Sequence, residues 1–361
     1  MTASHALRAL QDESFGLLHD RLIEMGWNPA DLAVDTSAGC VHGAINGRSW
    51  LLYSQQWADA LIRERFTATL AALRPGLKTH ALSLARVGAL ASVSLDALAG
   101  HAGDEGDECI AVSIGLMKLR LWGLTVARAL GVNSFEAPRP IDSDTGDSPP
   151  QSWWRSSLLV AAYDALGCTV DPARMAAIAA WDARRGNSGS AEQGVSVAME
   201  RFVILHEIGH YECGHVGVCR AYASKSGPPR DVFHRLEAEA DRFAVDHLRA
   251  MCSDGEAAAS TVCLLFLLFA LSPELLSRYP FCDDADAYPH PLTRLIWLLR
   301  RLFPGDVAKQ ASYVRFVITS LIAATEESSF DLDGMEDAIL VAVMGKPNAP
   351  ESSRPNEAEP R

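Results

Sequence analysis

Two histidines and a glutamate in the run Arg201-Phe202-Val203-Ile204-Leu205-His206-Glu207-Ile208-Gly209-His210 have the types and spacing needed to hold a metal ion and move a proton. On an α-helix the i, i+4 offset of His206 and His210 advances about 6 Å along the axis and about 40° around it, so both imidazoles leave one face and can share one cation. Glu207 lies beside them, placed to act as a base without being a ligand. Val203, Ile204, Leu205 and Ile208 are apolar, which predicts a buried helix. Polar groups buried there need a partner, and a bound cation is one.

A third ligand is expected from a second helix, Phe233-His234-Arg235-Leu236-Glu237-Ala238-Glu239-Ala240-Asp241-Arg242-Phe243-Ala244, which follows the breaker run Gly227-Pro228-Pro229. Glu237 and Asp241 are i, i+4 and share a face. Glu239 sits about 200° round from Glu237, so it is expected to be solvated or to pair with a neighbour such as Arg242. Ala238, Ala240 and Ala244 are small enough to let the two helices lie close, as a four-coordinate zinc with bonds of about 2 Å requires. Glu237 is therefore the expected ligand, and Asp241 the carboxylate that accepts the free imidazole N–H of a histidine ligand.

At these residues the chain resembles the gluzincin metallopeptidases, and more narrowly the HtpX-type, ImmA/IrrE-type and Lit-like intracellular peptidases, which pair HExxH with a downstream E-x-x-A-[DN]. The match covers His206 to His210 and Glu237 to Asp241, two motifs in the right order. The metzincin pattern differs, since it wants Gly at the position of Cys213 and His at that of Val216. The resemblance implies a gluzincin-like peptidase domain, Zn2+ held by His206, His210 and Glu237, and peptide hydrolysis with Glu207 as general base. It also implies a protein or peptide substrate inside the cell, with a regulatory or defence role. Tyr288-Pro289-His290-Pro291-Leu292-Thr293-Arg294 resembles the His-Pro-x-x-x-Arg element of several such peptidases, with the arginine displaced by about a residue. His290 is accordingly expected to be catalytic as a donor to the developing oxyanion, with Tyr288 and Arg294 as the other candidates.

The elements that must position these groups point to an α+β fold, mostly α-helical, with a small sheet. The 361 residues, 48% of them hydrophobic, suffice to bury a core, and a net charge of −13 argues against a nucleic-acid or anionic-membrane surface. The eight cysteines form no C-x-x-C pair, and residues 1–5 lack a basic segment leading into an apolar run, so a reduced, cytoplasmic protein is expected.

In chain order, residues 1–105 read as a helical N-terminal region, with helices in the first 25 residues, over Trp50 to Leu73 and over His80 to Leu98. The peptidase domain would span 106–344. It would open on a strand, Glu108 to Met117, read as an edge able to take an extended peptide by β-addition, with Ile114-Gly115-Leu116 resembling the Gly-Leu strand end of HtpX-type enzymes. A helix over Leu119 to Leu130 and an inserted helical segment at about 135–190 would follow. Ala257 to Leu271 carries no charge, but 15 helical residues reach about 22 Å, short of a bilayer core of about 30 Å. It reads as a buried helix closed by Ser272-Pro273-Glu274. Helices are expected from Pro291 through Leu302, over Ala311 to Thr325 and over Met335 to Met344, before a disordered tail at 345–361.

Two other readings stand beside hydrolysis. One is a non-catalytic zinc module closed by a fourth ligand from Cys213, His215 or His234. The other is a membrane-associated protease using Ala257 to Leu271.

Overall fold

The computed structural model describes residues 4, 7–12, 33–35, 40–45, 48–53, 55–90, 97–102, 107–113, 191–222, 228–252, 255–277 and 291–325. Their architecture is α+β and mostly helical. A short helical stretch at 7–12 precedes three strands, β1 (Ala33–Asp35), β2 (Cys40–Ile45) and β3 (Arg48–Tyr53), which form an antiparallel meander. Helix α1 (Gln55–Ala71) and two 3-10 turns (Lys78–Ala81 and Leu84–Arg86) lead to β4 (Val87–Leu90), β5 (Ala97–Ala102) and β6 (Asp107–Ser113). These three make a mixed sheet in the order β4-β6-β5, with β4 parallel and β5 antiparallel to β6.

The helical layer follows as α2 (Ala191–Glu212), α3 (His215–Tyr222), α4 (Arg230–Met251), α5 (Gly255–Ser277), α6 (Pro291–Leu302) and α7 (Val307–Thr325). Helix α2 runs through the middle and packs on α4, α5, α1 and β5. Its Met199, Phe202, Leu205 and Ile208 are fully or almost fully buried in one core. That core takes Ile62 and Phe66 from α1, Val87 and Ala89 from β4, Ile110 and Val112 from β6, and Leu264 to Leu267 from α5. Residues on both sides of position 105 thus share one sheet and one core.

Strand β6 alternates as the pleat requires. Ile110 and Val112 face the main core, while Cys109 and Ala111 face a smaller cluster with Leu7. Asp59 of α1 is nearly buried and accepts from the Ala89 N–H (2.8 Å) and from Gln11 Nε2 (2.8 Å), joining the stretch at 7–12, α1 and β4.

Several sequence expectations need correction. Trp50 to Tyr53 belong to β3, paired in register with Cys40 to Gly43, and the helix begins only at Gln55. The stretch expected as a helix over His80 to Leu98 instead supplies a 3-10 turn, β4 and the start of β5. In both places the deciding partner is another strand, which helical periodicity within the segment does not register. The strand expected from Glu108 is present as β6, but it is the central strand of its sheet. Its residues from Cys109 to Ser113 are buried, with the main core on one face and the cluster with Leu7 on the other. Helix α5 runs on through Pro273 to Ser277, so the proline does not end it. No helix among the described residues is long and apolar enough to cross a membrane. The expectations for 13–25, 114–117, 119–130, 135–190, 335–344 and the tail lie outside the described residues, apart from the helix continuing to residue 12.

Candidate metal centre

Helices α2 and α4 approach closely because glycine and alanine line their contact. A Cβ added at Gly209 would lie 3.0 Å from Phe243 Cβ and 3.1 Å from both Cα and the carbonyl oxygen of Ala240. Ala240 and Ala244 are fully buried. This approach carries the α4 face bearing Glu237 and Asp241 onto the α2 face bearing His206 and His210, as their shared i, i+4 offsets anticipate.

The donor atoms of His206, His210 and Glu237 converge. The two Nε2 atoms are 3.0 Å apart, and Glu237 places Oε2 3.4 Å from that of His206 and Oε1 3.3 Å from that of His210. Ligands at about 2 Å from a tetrahedral zinc stand about 3.3 Å from one another, so the three separations fit one ion. Electrical balance agrees. Glu207, Glu237 and Asp241 are each at most 4% exposed, and with all three ionised and both imidazoles neutral, as metal ligands are, the Arg294 guanidinium offsets only one of three charges. A divalent cation is what such a buried carboxylate cluster fits.

The outer sides of both imidazoles are also engaged. His206 Nδ1 lies 2.9 Å from Asp241 Oδ1, a close but bent approach. Arg294 grips Asp241 with two hydrogen bonds, Nε to Oδ2 at 2.8 Å and Nη2 to Oδ1 at 2.7 Å, and its guanidinium lies over the Phe266 ring. His210 Nδ1 meets His215 Nδ1 at 2.9 Å, and His215 Nε2 meets Glu239 Oε2 at 3.0 Å. Glu207 accepts a hydrogen bond from the backbone N–H of Ala99 on β5.

In the metal-free protein these surroundings recruit protons. Burial pushes the His206 imidazolium down, but Asp241 and Glu237 outweigh it and raise the pKa to about 10. Burial raises the Glu207 carboxyl to about 7, against the pull of His206 and the Ala99 N–H. Glu237 is held well below the usual carboxylate range, because His206, His210 and Arg294 outweigh its burial. Asp241 is also lowered, by Arg294 and His206 against burial. Burial lowers His210 and His215.

The structure therefore brings His206, Glu207, His210 and Glu237 together, with Asp241 behind His206. His290 and Tyr288 lie outside the described residues. Arg294, a candidate oxyanion donor from sequence, has its guanidinium on Asp241, with Nη2 also 3.5 Å from Glu237 Oε2. Glu239 does point away from the donor cluster, but it pairs with His215 and not with Arg242. None of Cys213, His215 and His234 joins the three donors among the described residues. Cys213 is exposed, and His234 takes a hydrogen bond from Arg230 Nε.

The contact of His215 with His210 was missed from sequence. Its signal is Gly214, in the left-handed region at φ 76°, which follows the end of α2 and whose carbonyl accepts from Val218 in the first turn of α3. A histidine just beyond such a turn folds back over the preceding helix end.

Residues 187–314, about a third of the chain, match the family described as Peptidase U49, and the span contains all of His206, Glu207, His210, Glu237 and Asp241. The match supports a peptidase, a hydrolase acting on protein or peptide. No curated protein and no solved structure matches the chain.

Proposed function

We propose that this chain is a zinc-dependent endopeptidase that hydrolyses a peptide bond of an intracellular protein. The observation that carries the proposal is the convergence of His206, His210 and Glu237 at 3.0 to 3.4 Å with a buried carboxylate, Glu207, next in sequence to a ligand. A zinc ion there supplies the positive charge that polarises a carbonyl and acidifies water.

The chain's own residues divide the remaining work. Glu207 takes the proton of the attacking water and returns it to the leaving amine, and the Ala99 N–H orients its carboxylate for both transfers. Asp241, held by Arg294, orients His206. The strand beside Glu207 is β5, an edge of its sheet, so an extended substrate is proposed to pair with β5 and not with the central β6. His290, the residue before Pro291 in the sequence, stays the proposed donor to the oxyanion.

The test is mass spectrometry of a cell extract incubated with wild-type protein or with Glu207→Gln. Cleavage products formed by the wild type and missing with the variant support the proposal and name the substrate. Elemental analysis completes it: one zinc per wild-type chain and none in His206→Ala or His210→Ala. Undiminished zinc in both variants refutes the ligand assignment.

A further inference from the structure

The His210 imidazole faces the donor cluster with Nε2 and a second, buried imidazole with Nδ1. We propose that His215, with its own proton placed by Glu239, is a positioning residue that locks His210 in the tautomer able to bind metal. The inference rests on the metal assignment above and adds residues that the two motifs do not contain.

The argument is a count of protons along one line of contacts. His210 Nδ1 and His215 Nδ1 are 2.9 Å apart, so one must donate and the other accept. If His210 donates, its Nε2 is bare and turned to His206 Nε2 and Glu237, as a ligand's must be. His215 Nδ1 then accepts, and its single proton sits on Nε2. That proton points to Glu239 Oε2 at 3.0 Å, an oxygen that can only accept. Every donor along the line meets an acceptor.

The opposite polarity fails at both ends. A proton on His215 Nδ1 would leave its Nε2 lone pair against the Glu239 carboxylate, and would force the His210 proton onto Nε2, among the metal-binding atoms. Without Glu239 the two polarities would be close in energy. The carboxylate separates them.

Burial makes the choice consequential. His215 is 2% exposed, whereas the Glu239 side chain is 40% exposed, so a carboxylate at the surface acts on an imidazole that water does not reach. The two rings meet edge to face, with centroids 4.9 Å apart and planes at 74°. The device complements Asp241, which stands 2.9 Å from the corresponding nitrogen of His206.

The test uses the full chain as wild type, His215→Leu, His215→Asn, Glu239→Ala and Glu239→Gln. Zinc affinity is read by competition with a chromophoric chelator, the visible spectrum of the cobalt-substituted protein is recorded, and the metal-free unfolding midpoint confirms folding. His215→Leu should weaken zinc binding roughly 10- to 100-fold and shift the cobalt bands, the size typical of losing a hydrogen-bond partner behind a ligand. His215→Asn puts an amide oxygen near the position of Nδ1 and should recover affinity to within about threefold of wild type. Glu239→Gln keeps an accepting oxygen and should stay within about threefold, whereas Glu239→Ala should weaken binding by about tenfold.

A side chain that merely filled space would be replaced better by an apolar group than by a polar amide, so zinc binding as tight in His215→Leu as in His215→Asn overturns the proposal. Unchanged affinity in Glu239→Ala overturns the part given to Glu239. Should His215→Leu fail to fold, His215→Asn and the two Glu239 variants decide alone. A wild type that takes up no zinc refutes the metal assignment itself and the relay with it, a result distinct from intact binding in the variants.

Discussion

Replacing Gly209 by alanine sets helix propensity against helix contact, and the structure decides between them. In an exposed helix the change would stabilise by about 1 kcal/mol. Here the new methyl would meet Phe243 Cβ at 3.0 Å and the Cα and carbonyl oxygen of Ala240 at 3.1 Å. Carbon pairs prefer about 3.5 to 4.0 Å, so the gap must open by about half an ångström. Two of the three atoms are α4 backbone, so no rotamer change relieves the overlap and the helix must shift as a body. Overpacking of this kind costs about 1 to 3 kcal/mol, which leaves a net loss of about 1 kcal/mol. Glu237 rides on α4 and the two histidines on α2, so the shift also disturbs donor separations of 3.0 to 3.4 Å. Gly209→Ala should lower zinc affinity about tenfold or more. Urea unfolding of the metal-free protein reads the first quantity, and chelator competition reads the second. A variant more stable by about 1 kcal/mol with unaltered affinity would refute the claim that this contact sets the donor geometry.

Three further outcomes are expected. Glu207→Gln should be inactive yet more stable than wild type at pH 8 in the metal-free form, on the order of 3 kcal/mol, and no different at pH 4. A folded pKa raised from 4.5 to about 7 means that stability is lost as pH climbs through that window, and the amide removes the loss; pH-dependent thermal melts check it. Zinc binding near pH 8 should expel about one proton, because metal-free His206 titrates at about 10, so affinity should climb by up to tenfold per pH unit below that value. Calorimetry in two buffers of different ionisation heat counts the proton. Arg294→Met leaves Asp241 buried without its doubly bonded partner, and urea unfolding should show a loss of about 3 kcal/mol or more; a loss below about 1 kcal/mol would mean that other groups compensate the carboxylate.

What could be read along the chain was whatever depends on helical period. The His206/His210 and Glu237/Asp241 pairs and the reversed direction of Glu239 each follow from positions within one helix, where 3.6 residues per turn sets the faces before any packing occurs. The small residues of α4 likewise announced a close neighbour, and Ala240 does meet Gly209. The uncharged run at Ala257 to Leu271 read as a buried helix because it is too short to cross a bilayer, and Val262 to Leu268 are buried.

The rest depends on partners in other elements. Trp50 to Tyr53 form a strand because Cys40 to Gly43 lie alongside, and β6 is central because β4 and β5 claim its two edges. Arg294 settles on Asp241, 53 positions earlier, and His215 on Glu239, 24 positions later. A strand edge or a charged side chain carries no mark of which distant group will satisfy it; packing of the helices decides that, by fixing which donors and acceptors leave water together. The sequence by itself therefore determined which side chains share a face. Only the tertiary structure decided which faces meet, and so which nitrogen of each histidine is turned toward the other donor atoms.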